Sequence, residues 1–545
     1  MTTREVDIIC VGSGLGGLTA AIHAHDLGAE VLVLEKAPKL GGVCAYSGGE
    51  VFVCCNHLMQ AEGKADDVDA AHAYMDFLAG GYADPELAKV IFDMGPVVAQ
   101  WVAENAGVAW KIINNFPDYY YPHAPGTVAH GRYLETELFE GADLGDWQKK
   151  TYTTPHMPPG ITHDELFEWG GLSAMPRWDF RTMGKRLMKD IRGMGPAMMA
   201  WFVKAAMVDR GIDAMLETPA DSLISEGGRV TGVIAKTKAG ESIQIKARKG
   251  VVLACGGYDW NPKLARYFEG LPDWKSMCQP YVEGDNFTLG GEVGAQFAGV
   301  PNQNLGMFFG YQVPGETHEG KPLWRATWEG GFPHAIWVNR SGARFCDESF
   351  YKEYLPRVHD WNGVDQVHPN YPPFLIFDQN YRDKYAFCSY MPGVEAPPEL
   401  LKKADTPAGL AKLLGIDPEA LEATINRFNE FADTDTDPDF GRGRYPWASM
   451  MVGDRSRPNP HLGPLNKPPY YGVQLTAVGV GINAVGLQTN ADAQVMHVRD
   501  RPIVGLYACG NSAALLDTGA GYQSGLSNLR GMTWGWIAAK HAMGG

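Results

Sequence analysis

Near its start the chain drives an apolar run straight into a glycine loop: Asp7-Ile-Ile-Cys-Val-Gly12-Ser-Gly14-Leu-Gly16-Gly17. A helix-compatible stretch follows from Leu18 to Leu27. A second apolar run, Ala29-Glu-Val-Leu-Val-Leu-Glu35, then delivers an acid 21 positions after Gly14. This order is strand, turn, helix, strand, acid, which predicts a parallel βαβ unit that binds a dinucleotide. Gly12 permits the tight turn, Gly14 lets backbone approach a pyrophosphate, and Gly17 lets helix and strand pack closely. The pyrophosphate would rest on free N–H groups at the helix N-terminus, and Glu35 would accept hydrogen bonds from the adenosine ribose.

Further glycine turns narrow the ligand. Directly after Glu35 comes Lys36-Ala-Pro-Lys-Leu-Gly41-Gly42-Val-Cys44-Ala-Tyr-Ser47-Gly48-Gly49. A second loop so close to the ribose acid suits a ligand whose other half folds back across the sheet edge. Two distant segments repeat the strand-to-turn pattern: Gly250-Val-Val-Leu-Ala254-Cys-Gly256-Gly257 and Ile503-Val-Gly505-Leu-Tyr-Ala-Cys-Gly510-Asn511-Ser512. Asp285 opens a helix that would lie beneath the cofactor. Together they predict FAD, with the late segment holding its ribityl and isoalloxazine end. No His stands at Val43 or Cys44 as an attachment point, so the FAD is expected to be non-covalent.

At 545 residues the chain exceeds one simple core. A net charge of −16 argues against nucleic acid or an anionic membrane surface as partner. Nine cysteines, an odd number without a C-x-x-C pair, suit reduced thiols and a cytoplasmic setting. The adjacent Cys54-Cys55 read as small buried residues. Arg4 and Glu5 precede the glycine loop directly, so no signal peptide is expected. No run reaches the roughly 20 apolar residues of a spanning helix. Met194 to Val203, rich in Met and aromatic residues, reads as core.

Residues 64 to 110 suggest helices, with Pro85 and Pro96 near their starts. Residues 114 to 180 are dense in Pro, Tyr, Trp, Gly and His without clean periodicity and predict long loops over a pocket. Strands are expected between 222 and 257, and a helical segment over 396 to 432. The expected fold is α/β: a discontinuous Rossmann-like FAD domain (1–298 and 463–545) with an inserted α+β catalytic domain (299–462).

These motifs resemble those of the fumarate reductase/succinate dehydrogenase flavoprotein superfamily over almost the whole chain, including Val338-Asn-Arg-Ser-Gly342 and Phe345-Cys-Asp-Glu348. The dicarboxylate enzymes of that superfamily carry a His and clamping arginines after the returning strand. Here Val473 to Asn483 holds neither, and a dianion would have nothing to offset its desolvation. The segment Phe116-Pro-Asp118-Tyr119-Tyr120-Tyr121-Pro122 is similar to a tyrosine-bearing segment of 3-ketosteroid dehydrogenases. Gly521-Tyr522-Gln-Ser524-Gly525 lies where those enzymes carry Tyr-Pro-Gly-Pro-Gly. Its tyrosine comes one residue later and resembles the Tyr-x-Ser-Gly form of the 4-ene-forming enzymes.

The resemblance implies α,β-dehydrogenation of a ketone. Such a reaction needs a base for the α-proton, a flavin to accept the β-hydride, and an electrophile for the developing enolate. A phenol, with a pKa near ~10, donates to an enolate unaided but serves as a base only when its surroundings assist. By resemblance Tyr522 and the Gly525 N–H polarise the carbonyl with Ser524 assisting, and Tyr119 or Tyr120 handles protons. Tyr351 is the candidate base, with Tyr311 as the alternative. Gly525 and Leu526 would also meet the flavin. The expected substrate is a small apolar cyclic ketone, either a 3-ketosteroid or a cyclohexanone-type ring. Its pocket would draw on Trp110, Phe116, Tyr119 to Tyr121, Trp201, Phe308 and Phe309. Electrons would pass to an external acceptor. The competing readings are a fumarate-type or ene reductase and a flavoprotein-fold binding protein without catalysis.

Overall fold

The computed structural model describes residues 2–302 and 306–545. Its central sheet has eight strands. Thr2–Val11 lies at the middle, paired in parallel with Val31–Leu34 on one side and Ser242–Leu253 on the other. Ser242–Leu253 in turn pairs in parallel with Arg501–Ala508. Val31–Leu34 is buried at every position, as expected for a parallel strand covered on both faces. The register sets Val11 beside Leu34 and Leu253, and Leu253 beside Ala508. All four strands therefore end at one edge, and each of the glycine turns begins there. Ligands of open α/β sheets bind at such an edge.

The helix Leu15–Asp26 packs against the C-terminal helix Leu526–Ala542. Their approach is close because glycines meet: a Cβ on Gly535 would collide with the carbonyl of Gly16. Pro85–Ala106 packs on the same C-terminal helix, with Gly95 against Leu529. Pro96 lies inside that helix rather than at a start. One lost backbone hydrogen bond is offset by the buried face of Leu87, Ile91, Val98 and Val102.

An antiparallel sheet of Ala335–Val338, Phe374–Asp378, Tyr470–Gln474 and Lys402–Ala404 forms the core of the insert. Helices Pro407–Leu414 and Pro418–Thr434 share a core with it. The segment expected to be helical over 396 to 432 holds these two helices. Gly415 in the left-handed region ends the first, and the Asp417 carboxylate caps the second. Another sheet joins Trp274–Ser276, Thr476–Gly479 and the hairpin Met307–His318/Lys321–Ala326. Strand pairing therefore crosses the boundaries expected at 298/299 and 462/463. Strands of three to five residues carry no signal of which sheet they join. Met194–Val203 is a helix buried almost throughout, hence core. No helix among the described residues is long and apolar enough to cross a membrane, and their cysteines are unpaired.

Candidate active site

A cavity of about 540 Å³ runs from the convergent strand ends to the insert. One wall is backbone. Gly12 sits at φ +108°, where any side chain would be strained and would also strike the Ala254 carbonyl. Gly14 is the N-cap of Leu15–Asp26 and offers no side-chain cap, so first-turn N–H groups stay available to an anion. Glu35 is buried. Its carboxylate accepts from the Ser13 N–H at 3.0 Å, the Ser13 hydroxyl at 2.6 Å and the Ala37 N–H at 2.8 Å, which leaves lone-pair capacity for a ribose hydroxyl. Lys36 is paired with Glu283 at 2.5 Å and with Asp285 at 3.1 Å, which fixes Asp285 in the wall.

The other expected contacts follow. Gly16, Gly42, Cys44, Ser47 and Gly48 line the cavity, as do Ala254, Gly256, Gly510 and Asn511. Gly17, Gly41, Gly49, Gly257 and Leu526 stand behind the wall. A Cβ on Gly17 would meet the Gly12 carbonyl, and one on Gly257 would meet Asn483; Leu526 is buried in the core. This wall fits a flavin dinucleotide. Asn511 donates to the Gly481 carbonyl at 2.6 Å, while its Oδ1 is buried without a hydrogen-bond partner among the described residues. An unmet acceptor beside an uncapped helix N-terminus suits a ligand with both donors and phosphates.

The opposite wall is side chains. Tyr119, Tyr351, Tyr522, Ser524 and Gly525 meet there from three distant segments. Tyr119 lies on a loop held by a buried ion network: Arg132 binds Asp66 through Nε at 2.8 Å and Asp118 through NH1 at 2.8 Å. Asp118 also accepts from the Val128 N–H at 2.9 Å. Tyr351 is the first residue of the helix Tyr351–Val358. The loop bearing Tyr522 is pinned by fully buried Gln523, which accepts from Tyr74 at 2.5 Å and donates to Tyr133. Gly525, at φ +87°, caps the C-terminal helix against the Val51–Phe52 backbone, where no side chain fits.

The Tyr119 and Tyr351 hydroxyls hydrogen-bond each other, and Tyr119 also bonds Ser524. Ser524 bonds Tyr522 in turn. Burial pushes all three phenols up, and mutual proximity and the Glu50 charge on Tyr119 and Tyr522 add to it. At neutral pH the cluster is therefore uncharged and rich in O–H donors, which suits a carbonyl oxygen gaining negative charge. Buried Lys352 lies over the Tyr351 and Tyr522 rings, its Nζ 4.7 and 4.5 Å from their centroids. Burial holds its amine well below the usual range.

Other expected pocket residues lie elsewhere. Tyr120 packs on Phe77 and Phe350 at centroid distances of 5.1 and 5.4 Å and does not line the cavity. Tyr311 donates to Glu329 at 2.9 Å and is also outside the wall. Trp110 donates to the Ala99 carbonyl and belongs to the core, as do Phe116 and Phe309. Trp201 donates to Glu137, and Tyr121 does not reach the cavity. Phe308 does line it. The segment expected to cover the pocket folds into short helices, His163–Glu168, Leu172–Arg177 and Phe180–Met188. Leu166, Leu172, Met175 and Met183 from these helices face the cavity, with Trp178 from the link between the last two, beside Trp447 and Met451. Sequence reasoning missed these residues, and also Glu50, His163 and Lys352. The legible signals were an acid directly after Gly48-Gly49 and a lysine directly after Tyr351.

The chain matches the family model described as an FAD binding domain over residues 7–527, and it belongs to that family, in its 3-ketosteroid dehydrogenase-like branch. It is 34% identical to the 4-oxocyclohexanecarboxylate 2-dehydrogenase of Sinomonas cyclohexanicum, covering 99% of this chain and 93% of that protein. It is 31% identical to the 3-oxosteroid 1-dehydrogenase of Mycobacterium tuberculosis, covering 99% of each. The crystal structure of 3-ketosteroid delta1-dehydrogenase from Sterolibacterium denitrificans, in complex with 1,4-androstadiene-3,17-dione, superposes with a TM-score of 0.88 at 31% identity, covering 99% of both chains. The protein is an FAD-dependent oxidoreductase acting on CH–CH donors.

Proposed function

We propose that this enzyme introduces a double bond α,β to the carbonyl of a neutral cyclic ketone, using tyrosines to handle the oxygen and the proton. The observation that carries this reading is the meeting of Tyr119, Tyr351 and Tyr522 with the Gly525 backbone, in the same cavity as the glycine loops. Bound non-covalently, FAD supplies the hydride acceptor. Tyr522 and the Gly525 N–H hold the ketone oxygen, which acidifies the α-carbon. Ser524 orients Tyr522. Tyr351 takes the α-proton in the form of the pair that has already lost one proton, and its bonded partner Tyr119 donates to that phenolate. Burial, and to a lesser degree the bond to Tyr119, hold the Tyr351 proton on, so the pair is a base only in the fraction that has lost one proton.

Neutrality of the substrate follows from the lining. Arg325 is already tied to Glu316 at 2.6 Å and to the Pro155 carbonyl at 3.1 Å, and His163 is held between two carboxylates. A carboxylate on the substrate would find no unpaired cation there. The apolar wall of Leu166, Leu172, Met175, Trp178 and Met183 suits an uncharged ring system, and its several large side chains are the ground for preferring a polycyclic ketone such as a 3-ketosteroid.

Anaerobic mixing of the holoenzyme with a 3-ketosteroid, cyclohexanone, 4-oxocyclohexanecarboxylate and succinate tests this. Fast bleaching of the flavin by the ketosteroid is expected. Bleaching by the carboxylated ring alone would overturn the neutral-substrate reading, and bleaching by succinate alone would overturn ketone chemistry. An external acceptor, to be found by screening dyes and quinones, would restore the oxidised flavin.

A further inference from the structure

The helix Phe180–Met188, part of the apolar cap over the cavity, turns an unusual face to solvent. Met183 points inward, where it is buried and lines the cavity. Phe180, Leu187 and Met188 point outward and are 45%, 62% and 82% exposed. At i, i+7 and i+8 they share one side of the helix, with Gly184 between them. Single exposed apolar side chains are ordinary, but three on one side of so short a helix form a patch.

Cations border that patch. Arg181, Lys185 and the C-cap residue Lys189 follow at i, i+4 and i+8, all exposed, and exposed Arg177 lies just before the helix. Arg186 is tied to Glu165 at 2.7 Å. The one acid between 177 and 189 is Asp179, whose carboxylate caps the helix by accepting from the Thr182 N–H at 3.0 Å. Five cations against one acid give this segment a net charge of +4, in a chain whose total is −16. The total, which argues against an anionic membrane as partner, is thus an average that this helix does not share.

The cavity also reaches the surface here. Phe180 is both exposed and part of the cavity lining, and Trp178 and Met183 continue that lining inward. We propose that Phe180–Met188 docks the protein onto an anionic lipid bilayer and admits a membrane-dissolved ketone to the cavity past Phe180. Leu187 and Met188 enter the interface, and Arg181, Lys185 and Lys189 meet the phosphate headgroups. An apolar stripe beside a cationic one is the pattern of a helix that lies in the plane of such an interface. The negative charge of the whole chain opposes approach from afar, but physiological salt screens it beyond about 8 Å, whereas the patch acts at contact. The docking follows from the helix itself. The delivery rests on the ketone reading above, since an apolar ring system partitions out of water into the bilayer.

Sedimentation of the holoenzyme with lipid vesicles tests the docking. The wild type should pellet with equimolar phosphatidylglycerol and phosphatidylcholine and stay in solution with phosphatidylcholine alone. Lys185→Glu/Lys189→Glu should lower partitioning at least about 25-fold, since each cation at such a surface is worth about fivefold. Leu187→Ser/Met188→Ser should lower it at least about tenfold. All four positions are exposed and lie outside the cavity lining, so flavin content and the bleaching rate with a ketone in free solution should match the wild type. With a ketosteroid dissolved in the anionic vesicles, both double variants should bleach more slowly than the wild type. A wild type that ignores anionic vesicles overturns the docking, as do variants that bind like the wild type. Binding lost in the charge variant but intact in the apolar variant, or fully displaced by inorganic phosphate at constant ionic strength, also overturns it in favour of a free anion. Equal bleaching of vesicle-borne ketone by variants and wild type overturns the delivery and keeps the docking. A wild type that binds vesicles yet bleaches with no ketone overturns the function reading and again keeps the docking.

Discussion

The two walls of the cavity are made of different material. The dinucleotide wall is backbone, shaped by Gly12, Gly14, Gly42 and Gly510 at the ends of parallel strands. The opposing wall is side chains, with three tyrosines from segments more than 150 residues apart and an apolar cap from residues 163–188. The backbone wall recognises groups common to every reaction of such a cofactor: phosphates, ribose and ring edges. The side-chain wall decides what is oxidised. A substitution in the first should therefore act on whether the cofactor is held, and one in the second on what the held cofactor does.

The largest expected effect tests the first half of that contrast. Gly12→Val would force a branched side chain into a positive-φ turn and against Ala254. Flavin should be absent from the purified protein and activity should fall to background. Full flavin content in this variant would mean that the wall is not the cofactor's seat. The next effect falls on the other wall. Tyr351→Phe should retain flavin yet lower kcat by about 10²–10⁴-fold, the range for a lost proton-transfer group. Tyr522→Phe should cost about 10²–10³-fold, as for one lost oxyanion donor. Less than a tenfold loss in Tyr351→Phe would move the base elsewhere.

A smaller effect belongs to the cap. Trp178→Ala should raise KM roughly tenfold for a polycyclic ketone, within the range for lost apolar contacts in a pocket, and should leave cyclohexanone nearly unaffected. Equal changes for both ketones would show that the cap does not sense substrate length.

The same contrast explains what could be read from the sequence. The glycine turns, the strand before each and Glu35 are local patterns with fixed spacing, and they led directly to the parallel sheet and to FAD. Tyr119 and Tyr522 were reached through resemblance, because nothing near either residue states that they meet. Tyr120, one residue from Tyr119, could not be separated from it until the loop was fixed by Asp118 and Arg132. Glu50 and His163 are 113 residues apart, and only the fold sets them 3.0 Å apart. The helical segment expected over 396 to 432 divides at a detail that is local, since Gly415 and Asp417-Pro418 are stop and start signals. The sheet that Thr476–Gly479 joins could not be read locally, because the strand has a partner on either side from another part of the chain.

The smallest predicted effect is read in stability and asks whether His163 is charged between Glu50 and Glu135. An unfolded His titrates near 6.5, whereas burial and then the stronger pull of Glu50 and Glu135 set folded His163 at about 10. The folded state thus binds the extra proton between these values. Its contribution is fully present below pH 6.5 and is lost as pH rises through about 10. Over pH 7 to 9 this one group should lower the stability of the holoenzyme by about 1.4 kcal/mol per pH unit, the energy of one pKa unit. Urea midpoints at pH 7, 8 and 9 measure the slope, and His163→Gln should remove that part of it. If both proteins show the same slope, His163 is neutral in the folded state. The side-chain wall would then carry less positive charge than the contacts of His163 with Glu50 and Glu135 imply.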